Sequence, residues 1–540
     1  MKQIFILTFF LLNSIFSLGQ DYSLIPYPSS VVTKKEKEFL LSKASVIYYS
    51  DNKLKNNANY LQEVLNSSTC FKIATTPLTS EFDKGAIILS LEKSKEATKE
   101  SYALEVSNGV IRISASEPSG VFYGIQTLLQ LFPIEIYSDK LVTNIKWKIP
   151  AVHILDKPKF EWRGMHLDVA RNFKSVAFVK KFIDNLGRHK MNTFHWHLTE
   201  DQGWRIEIKK YPRLTQIGAY RDSTLIGHMR DKPHKFKVGR TGGFYTQEEI
   251  KEVVKYAQDR YVTIVPEIEM PGHAQAAIAA YPEYGNTGIS PGVRPIWGIS
   301  EDIFNPEEKT IEFLKDVLNE VMELFPGEYI HIGGDEARKT QWESSKRVQE
   351  LLKERGLHDM HEMQSWFIQQ ISNHLATNNR KLIGWDEILE GGLANDATVM
   401  SWRGDKGGVT AAKKGHKAVM ANSKSTYFNK YQSQDKENEP FAHGGFISLK
   451  KAYLFNPIPT GLTFKESKYI IGAQGQLWSE YIVEESYMEY MMFPRVCALS
   501  EVVWSKDKDY QKFLKRLKIH LNRLNILGVN YRIPDEFKNK

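Results

Sequence analysis

The sequence predicts an α/β protein, a (β/α)8 barrel preceded by a small α+β domain. Three observations carry that expectation. Eight short apolar runs recur after residue 150 with helical patterns between them, as alternating strands and helices require. All eleven tryptophans lie at or after Trp147, so the chain changes composition where the runs begin. Polar and aromatic residues follow the runs at their carboxyl ends, where barrels of this kind carry their chemistry.

Lys2 followed by the apolar stretch Ile4 to Phe16, with Ser17 and Gly19 at the −3 and −1 positions before Gln20, reads as a secretory signal over residues 1–19. The stretch is too short to span a bilayer, and no later segment is apolar enough to do so. The expectation is an exported protein, periplasmic or secreted, with no integral membrane segment. With 540 residues, 42% hydrophobic and 25% charged, the rest has the composition of a large folded chain. Cys70 and Cys497, the only cysteines, are far apart and read as small core residues rather than a disulfide framework. The net charge of +8 is scattered. Its densest stretch, Lys512, Lys515, Arg516, Lys518 and Arg523, reads as the solvated face of a helix whose other side is apolar, which gives no nucleic-acid surface.

Residues 20–150 form the first domain. Tyr102 to Val106 and Val110 to Ser114 alternate around Asn108-Gly109, a strong hairpin signal. Ser45 to Tyr49 and Ala86 to Leu91 add strands, and Val121 to Leu131 is helical. Residues 151–505 form the barrel, with strands at Gly164 to Val169, Thr193 to Leu198, Val262 to Ile268, Tyr329 to Ile332, Leu382 to Trp385, Val399 to Trp402, Lys417 to Ala421 and Ile470 to Leu477. Thr246 to Glu249 is a capping box, and Ile311 to Phe325 and Met363 to Leu375 have helical spacing. The long connection from Gly203 to Tyr245 is a functional loop or an insertion. Residues 506–540 supply a helix packed on the barrel, stopped by Gly528.

The strand ends carry Arg171, Asp201, Glu267, Glu269, His273, Asp335, Glu336, Trp385, Trp402, Tyr427, Trp478 and Glu480 in turn. Gly333-Gly334 lets the backbone leave strand geometry so that Asp335 and Glu336 reach one opening, where one acid can protonate a leaving group while the other acts electrostatically. The tryptophans suit the C–H faces of a sugar, and the arginine and acids suit its hydroxyls. His195 and His197 face one way on a strand and could share a metal ion. The later strand ends offer mostly tryptophan, tyrosine and acids, so hydrogen-bonding histidines are preferred and no metal is expected.

Several segments resemble family 20 of the glycoside hydrolases, the β-N-acetylhexosaminidases. They are Arg163 to Asn172, His195 to Arg205, Pro266 to His273, His331 to Glu336, Gly384 to Glu387, Ser401 to Gly404 and Gln476 to Glu480, in family order, with Pro118 to Gly124 resembling the family's preceding domain. The resemblance implies an exo-acting enzyme that removes terminal N-acetylglucosamine or N-acetylgalactosamine from glycans. Glu336 would be the general acid and then base, with a pKa raised by partial burial. The substrate's acetamide oxygen would be the nucleophile, giving an oxazolinium and retention. Asp335 would orient the acetamide and Tyr427 would bond its oxygen. Arg171 and Glu480 would hold ring hydroxyls, Trp385, Trp402 and Trp478 would line the pocket, and Asp201 and His273 would support the acid. No cofactor is required.

One position departs from the family's usual Tyr-x-Asp: here Tyr427-Phe428-Asn429 puts an amide where an aspartate would bind a sugar hydroxyl. The choice between the two sugars stays open at this point, as do linkage, release of a mono- or disaccharide, and oligomeric state. The rival classes are an inactive saccharide-binding protein, against which the intact acid pair speaks, and a metal-dependent barrel hydrolase, which chelators would silence.

Overall fold

The computed structural model describes residues 22–78, 82, 84–93 and 98–538. The expected leader lies outside the described residues. The first domain is a seven-stranded sheet of β1 (Ser30–Thr33), β2 (Val46–Tyr49), β3 (Ala74–Pro77), β4 (Ala86–Leu91), β5 (Tyr102–Ser107), β6 (Val110–Ala115) and β7 (Val152–Asp156), in the order β1-β7-β5-β6-β4-β2-β3. Ser107 pairs with Val110, and Asn108 and Gly109 both take positive φ (49° and 77°), the two-residue turn the sequence signals. Helices α1 (Lys55–Ser68) and α2 (Pro118–Leu131) cover one face, where Leu61, Val121 and Leu128 meet Ile47, Leu104 and Ile113. Pro118 opens α2 where a missing N–H costs nothing. Strand β7 pairs with β1 and β5, so the first sheet runs on to Asp156.

The second unit is a closed parallel barrel of β8 (Trp162–Asp168), β9 (Thr193–His197), β10 (Thr263–Glu267), β11 (Tyr329–His331), β12 (Lys381–Trp385), β13 (Thr398–Ser401), β14 (Ala418–Met420) and β15 (Ile470–Gly475), with β15 pairing back onto β8. These are the eight runs read from the sequence. Nearly every strand residue is buried, because helices cover the outside and side chains fill the inside, which explains why the runs are apolar rather than alternating. The helical ring includes α3 (Val176–Arg188), α4 (Gln247–Gln258), α5 (Glu308–Leu324), α6 (Met360–Thr377), α7 (Lys406–Lys413) and α8 (Arg495–Trp504). Thr246 and Glu249 form the reciprocal cap on α4. The barrel interior packs Val265, Ile383, Trp385, Met400 and Val419, with Trp402 and Trp478 against them.

The long connection after β9 folds into a hairpin, Tyr220–Ile226 with Lys235–Gly242. At its tip His228 stacks on Tyr481, the residue after Glu480, so this excursion reaches the rim of the barrel mouth. The last long helix, α9 (Tyr510–Ile526), corrects the expectation of a wholly solvated basic face. Lys512, Lys515 and Lys518 are exposed, but Arg516 pairs with Glu501 and Arg523 donates to the carbonyls of Ser23 and Gln130, so two of its cations fasten α9 to the barrel and to the first domain. The same junction buries Lys190, whose ammonium lies 2.8 Å from Asp156, while the Trp504 indole donates to that carboxylate at 3.0 Å. Cys497 is buried and Cys70 is exposed, so only the former is a core residue. No helix of the described residues is long and apolar enough to cross a membrane.

Candidate active site

The chain leaves β11 through a turn that only glycine can make. Gly333 and Gly334 take φ of +66° and +92°, and a Cβ on Gly333 would lie 1.7 Å from Glu269 Oε2. The turn delivers Asp335 and Glu336 to the carboxyl end of the barrel. Glu336 itself is left-handed (φ +46°), and so is His273 (φ +50°) after β10. Such backbone costs roughly 1–3 kcal/mol per residue and persists where the surroundings impose it. Here both residues face each other: His273 Nε2 is 3.6 Å from Asp335 Oδ2 and 3.6 Å from Glu336 Oε2.

These groups open on a cavity of about 260 Å³ lined by Arg171, His273, Asp335, Glu336, Trp402, Ser423, Tyr427, Asn429, Lys430, His443, Trp478 and Glu480. It lies just below the ~300 Å³ at which pockets for drug-sized ligands begin, so it has room for about one sugar ring. Trp402 and Tyr427 stack at 6.1 Å, and Tyr427 meets Trp478 at 6.4 Å. The Trp402 indole is aimed by a 2.9 Å bond to Glu387 Oε2. Arg171 lies over Trp478 at 4.9 Å, is anchored by Glu200 at 2.8 Å and receives help from Asp168 at 3.4 Å. Despite burial, these acids hold its charge firmly in place.

Burial, helped by the charges of Glu336 and Glu267 against the opposing pull of His273, pushes the Asp335 carboxyl up to about 7. Glu336 goes the other way. Burial tends to raise it, but the hydrogen bond and charge of His273 outweigh that and hold it below the usual range. This corrects the expectation of a raised Glu336 in the free pocket. Its side chain is 34% exposed there, so water still solvates the carboxylate. His273 is held protonated: burial opposes charge, but Glu200, 2.6 Å from Nδ1, and Asp335 prevail. Glu387, behind Trp402, is pushed up to about 8 by burial and by Asp335.

Beneath the pocket, one buried carboxylate organises the floor. Glu267 accepts the Trp385 indole at 2.8 Å, lies 3.0 Å from His195 Nε2 and 2.9 Å from His331 Nδ1, and bonds His197. His195 and His197 therefore both face Glu267 in the barrel interior. Burial lowers His195 to about 4, whereas Glu267 and Glu200 overcome burial to raise His197 to about 9. Trp385 packs on Trp478 with ring centres 5.7 Å apart, so this network seats the pocket's aromatic floor.

Of the residues singled out from the sequence, Arg171, His273, Asp335, Glu336, Trp402, Tyr427, Asn429, Trp478 and Glu480 converge on the cavity. Asp201 and Trp385 stand behind it. Asp201 is fully buried, accepts the Gln275 backbone N–H at 3.1 Å and lies 3.6 Å from His273 Nδ1. Sequence reasoning passed over Glu200, Ser423, Lys430 and His443. Glu200 neighbours Asp201 and Lys430 neighbours Asn429, which was the available signal.

An eight-stranded barrel whose carboxyl end gathers acids, an arginine and stacked aromatic rings around a one-ring cavity is a scaffold for holding a polyhydroxylated ring. Residues 160–507 match the catalytic domain of glycosyl hydrolase family 20, and residues 21–157 match that family's domain 2. The chain belongs to glycosyl hydrolase family 20. It is 41% identical over 519 residues to a beta-hexosaminidase of Porphyromonas gingivalis, an alignment spanning 95% of this chain and 64% of that one. The GH20 beta-N-acetylhexosaminidase of Streptomyces coelicolor superposes with a TM-score of 0.83 at 27% identity, covering 96% of this chain and 99% of its own. An exo beta-N-acetylglucosaminidase of Vibrio harveyi, solved with N-acetylglucosamine, gives 0.81 at 32% identity, covering 96% and 79%.

Proposed function

We propose that the chain is an exo-acting β-N-acetylhexosaminidase, removing terminal N-acetylglucosamine or N-acetylgalactosamine from glycans by a retaining, substrate-assisted route. The observation that carries this reading is the adjacent Asp335-Glu336 pair, turned by left-handed backbone into a one-ring pocket and sharing His273 between them. A cavity with room for about one sugar ring, lined by Trp478 and backed by Trp385, supports binding of a chain end. The sugar bound in the Vibrio harveyi neighbour supports the same class of ligand.

In this mechanism Glu336 gives its proton to the leaving oxygen. The bound sugar strips water from its carboxylate, so the burial contribution grows and the pKa moves toward what an acid needs. Asp335 accepts from the acetamide N–H and, ionised, stabilises positive charge as the acetamide oxygen closes on the anomeric carbon. Tyr427 supplies an O–H to that oxygen. Glu336 then removes a proton from the water that opens the oxazolinium on the vacated face, which restores the β configuration. Arg171 and Glu480 hold ring hydroxyls, and Asp201 and Glu200 fix His273. Every proton moves between Glu336, the substrate and the attacking water, so the steps call for no cofactor.

The segment Ile4 to Phe16 with its small-residue cleavage pattern supports export to the periplasm or beyond, where glycans are met. The test is a thiazoline that mimics the oxazolinium. It is expected to inhibit turnover of an aryl β-N-acetylglucosaminide far more tightly than the product sugar does; no tighter inhibition than product would remove substrate assistance.

A further inference from the structure

Three residues that the reaction does not use bring their metal-binding atoms together at the other end of the barrel. His189 caps α3 just before β9 begins, so it lies at the amino end of the strands, the face opposite the pocket. It meets Cys497 of α8 and His520 of α9. The Nε2 atoms of the two histidines are 2.9 Å apart, Cys497 Sγ is 3.5 Å from His189 Nε2, and the three ligand atoms all lie within 4.8 Å of one another. All three side chains are buried, at 1%, 0% and 5% exposure for His189, Cys497 and His520. Burial holds both imidazoles neutral, lowering His189 to about 4 and His520 well below the usual range, and it holds the thiol well above its own. His189 Nδ1 lies 2.7 Å from the Asn185 carbonyl, an oxygen that can only accept, so the ring carries its proton on Nδ1 and offers an Nε2 lone pair to both His520 and Cys497. A backbone carbonyl that orients a ring in this way is the usual outer partner of a metal-binding histidine. His520 Nδ1 has no hydrogen-bond partner, so moving its proton there frees a second lone pair and breaks no bond outside the cluster.

We propose that His189, Cys497 and His520 bind Cu(I), a soft monovalent ion, and that the bound ion pins α9 to α3 and α8. The site goes beyond the hydrolytic reading and plays no part in it. With bonds of about 2.0 Å to nitrogen and about 2.3 Å to sulfur, as for zinc, the ligand atoms of one ion stand roughly 3.3–3.8 Å apart, so Cys497 is in place and the two rings need part by only about half an ångström. A thiol and two imidazoles with no carboxylate among them select copper or zinc over the hard ions. Charge decides between those two. Cu(I) with one thiolate and two neutral imidazoles is uncharged, which suits a site packed on Phe493 in the apolar core and flanked by Arg188 and Arg523. Zn(II) would leave a buried positive charge near those arginines and call for a fourth ligand. Binding breaks the S–H bond of Cys497 and releases its proton to solvent, and the copper keeps its oxidation state.

The experiment titrates the full chain carrying Cys70→Ser, which removes the only other thiol, with Cu(I) in the absence of oxygen and against a chromophoric Cu(I) chelator. One Cu(I) per chain should be retained, with one sulfur and two nitrogen neighbours by X-ray absorption, and Tm should rise as it binds. Adding Cys497→Ser keeps the side chain's volume and leaves a hydroxyl to donate to His189 Nε2, so the fold should persist by circular dichroism. It should weaken Cu(I) binding at least about a hundredfold, more than loss of an outer partner costs. His520→Gln should do the same. Failure of the Cys70→Ser protein to retain copper, or equal retention when Cys497→Ser is added, overturns the proposal. Tighter binding of Zn(II) than of Cu(I) overturns the choice of ion, and a Tm that Cu(I) leaves unchanged overturns the pinning of α9.

Discussion

His273 sits between the two acids of the site, and replacing it by glutamine should move the pH profile of activity bodily toward alkali. Its Nε2 is 3.6 Å from a carboxylate oxygen of each, and Glu200 and Asp335 keep it charged against the cost of burial. At such a distance and an effective dielectric constant of about 20, a pair of unit charges attracts by roughly 4 kcal/mol. With 1.36 kcal/mol to a pKa unit, the ceiling is about three units for each acid, and water entering the enlarged space brings the expectation to about one to two. The sign is the same for both acids, because a nearby cation favours their ionised forms and its loss raises both values. In the proposed mechanism Glu336 must carry a proton to act as acid and Asp335 must lack one to stabilise the oxazolinium, so both limbs of the kcat/KM profile are expected to shift upward together. The assay is kcat/KM of the purified His273→Gln protein against pH on an aryl β-N-acetylglucosaminide, with circular dichroism to confirm folding. A bell that loses height but does not move, or moves toward acid, would refute the electrostatic role of His273.

Two further outcomes separate the acids. Glu336→Gln should cost about 10²–10⁴-fold in kcat/KM on substrates with poor leaving groups and much less on activated aryl glycosides, which depart without protonation; an equal, small loss on both would move the acid elsewhere. Asp335→Asn should cost about 10²–10³-fold on both kinds of substrate, because it acts before the leaving group matters; near-normal turnover would remove that role.

Local signals made much of this structure legible. The eight barrel runs, the Asn108-Gly109 turn and the Thr246–Glu249 cap are each written in neighbouring residues, and each forms as its spacing predicts. The glycines before Asp335 likewise announce the turn that brings the acids to the cavity. What stayed hidden depends on groups that meet only in space. The depressed pKa of Glu336 comes from His273, 63 positions earlier in the chain, and the burial of Arg516 and Arg523 comes from partners at Glu501, Ser23 and Gln130. Asp201 reads as a strand-end acid, yet the chain after β10 covers it with Gln275 and His273 and leaves His273 as the group that faces the pocket. Lys430 hid beside Asn429, since a lysine following a site residue looks like any surface cation until its neighbours are known.

The most direct test of the central claim compares three aryl β-glycosides under one set of conditions: the N-acetylglucosaminide, the N-acetylgalactosaminide and the glucoside. The glucoside has the same leaving group and a similar ring but lacks the acetamide that Asp335 and Tyr427 would aim in the proposed mechanism. Hydrolysis of both N-acetylhexosaminides with almost none of the glucoside is the result predicted for a site whose nucleophile belongs to the substrate. Comparable turnover of the glucoside would contradict it.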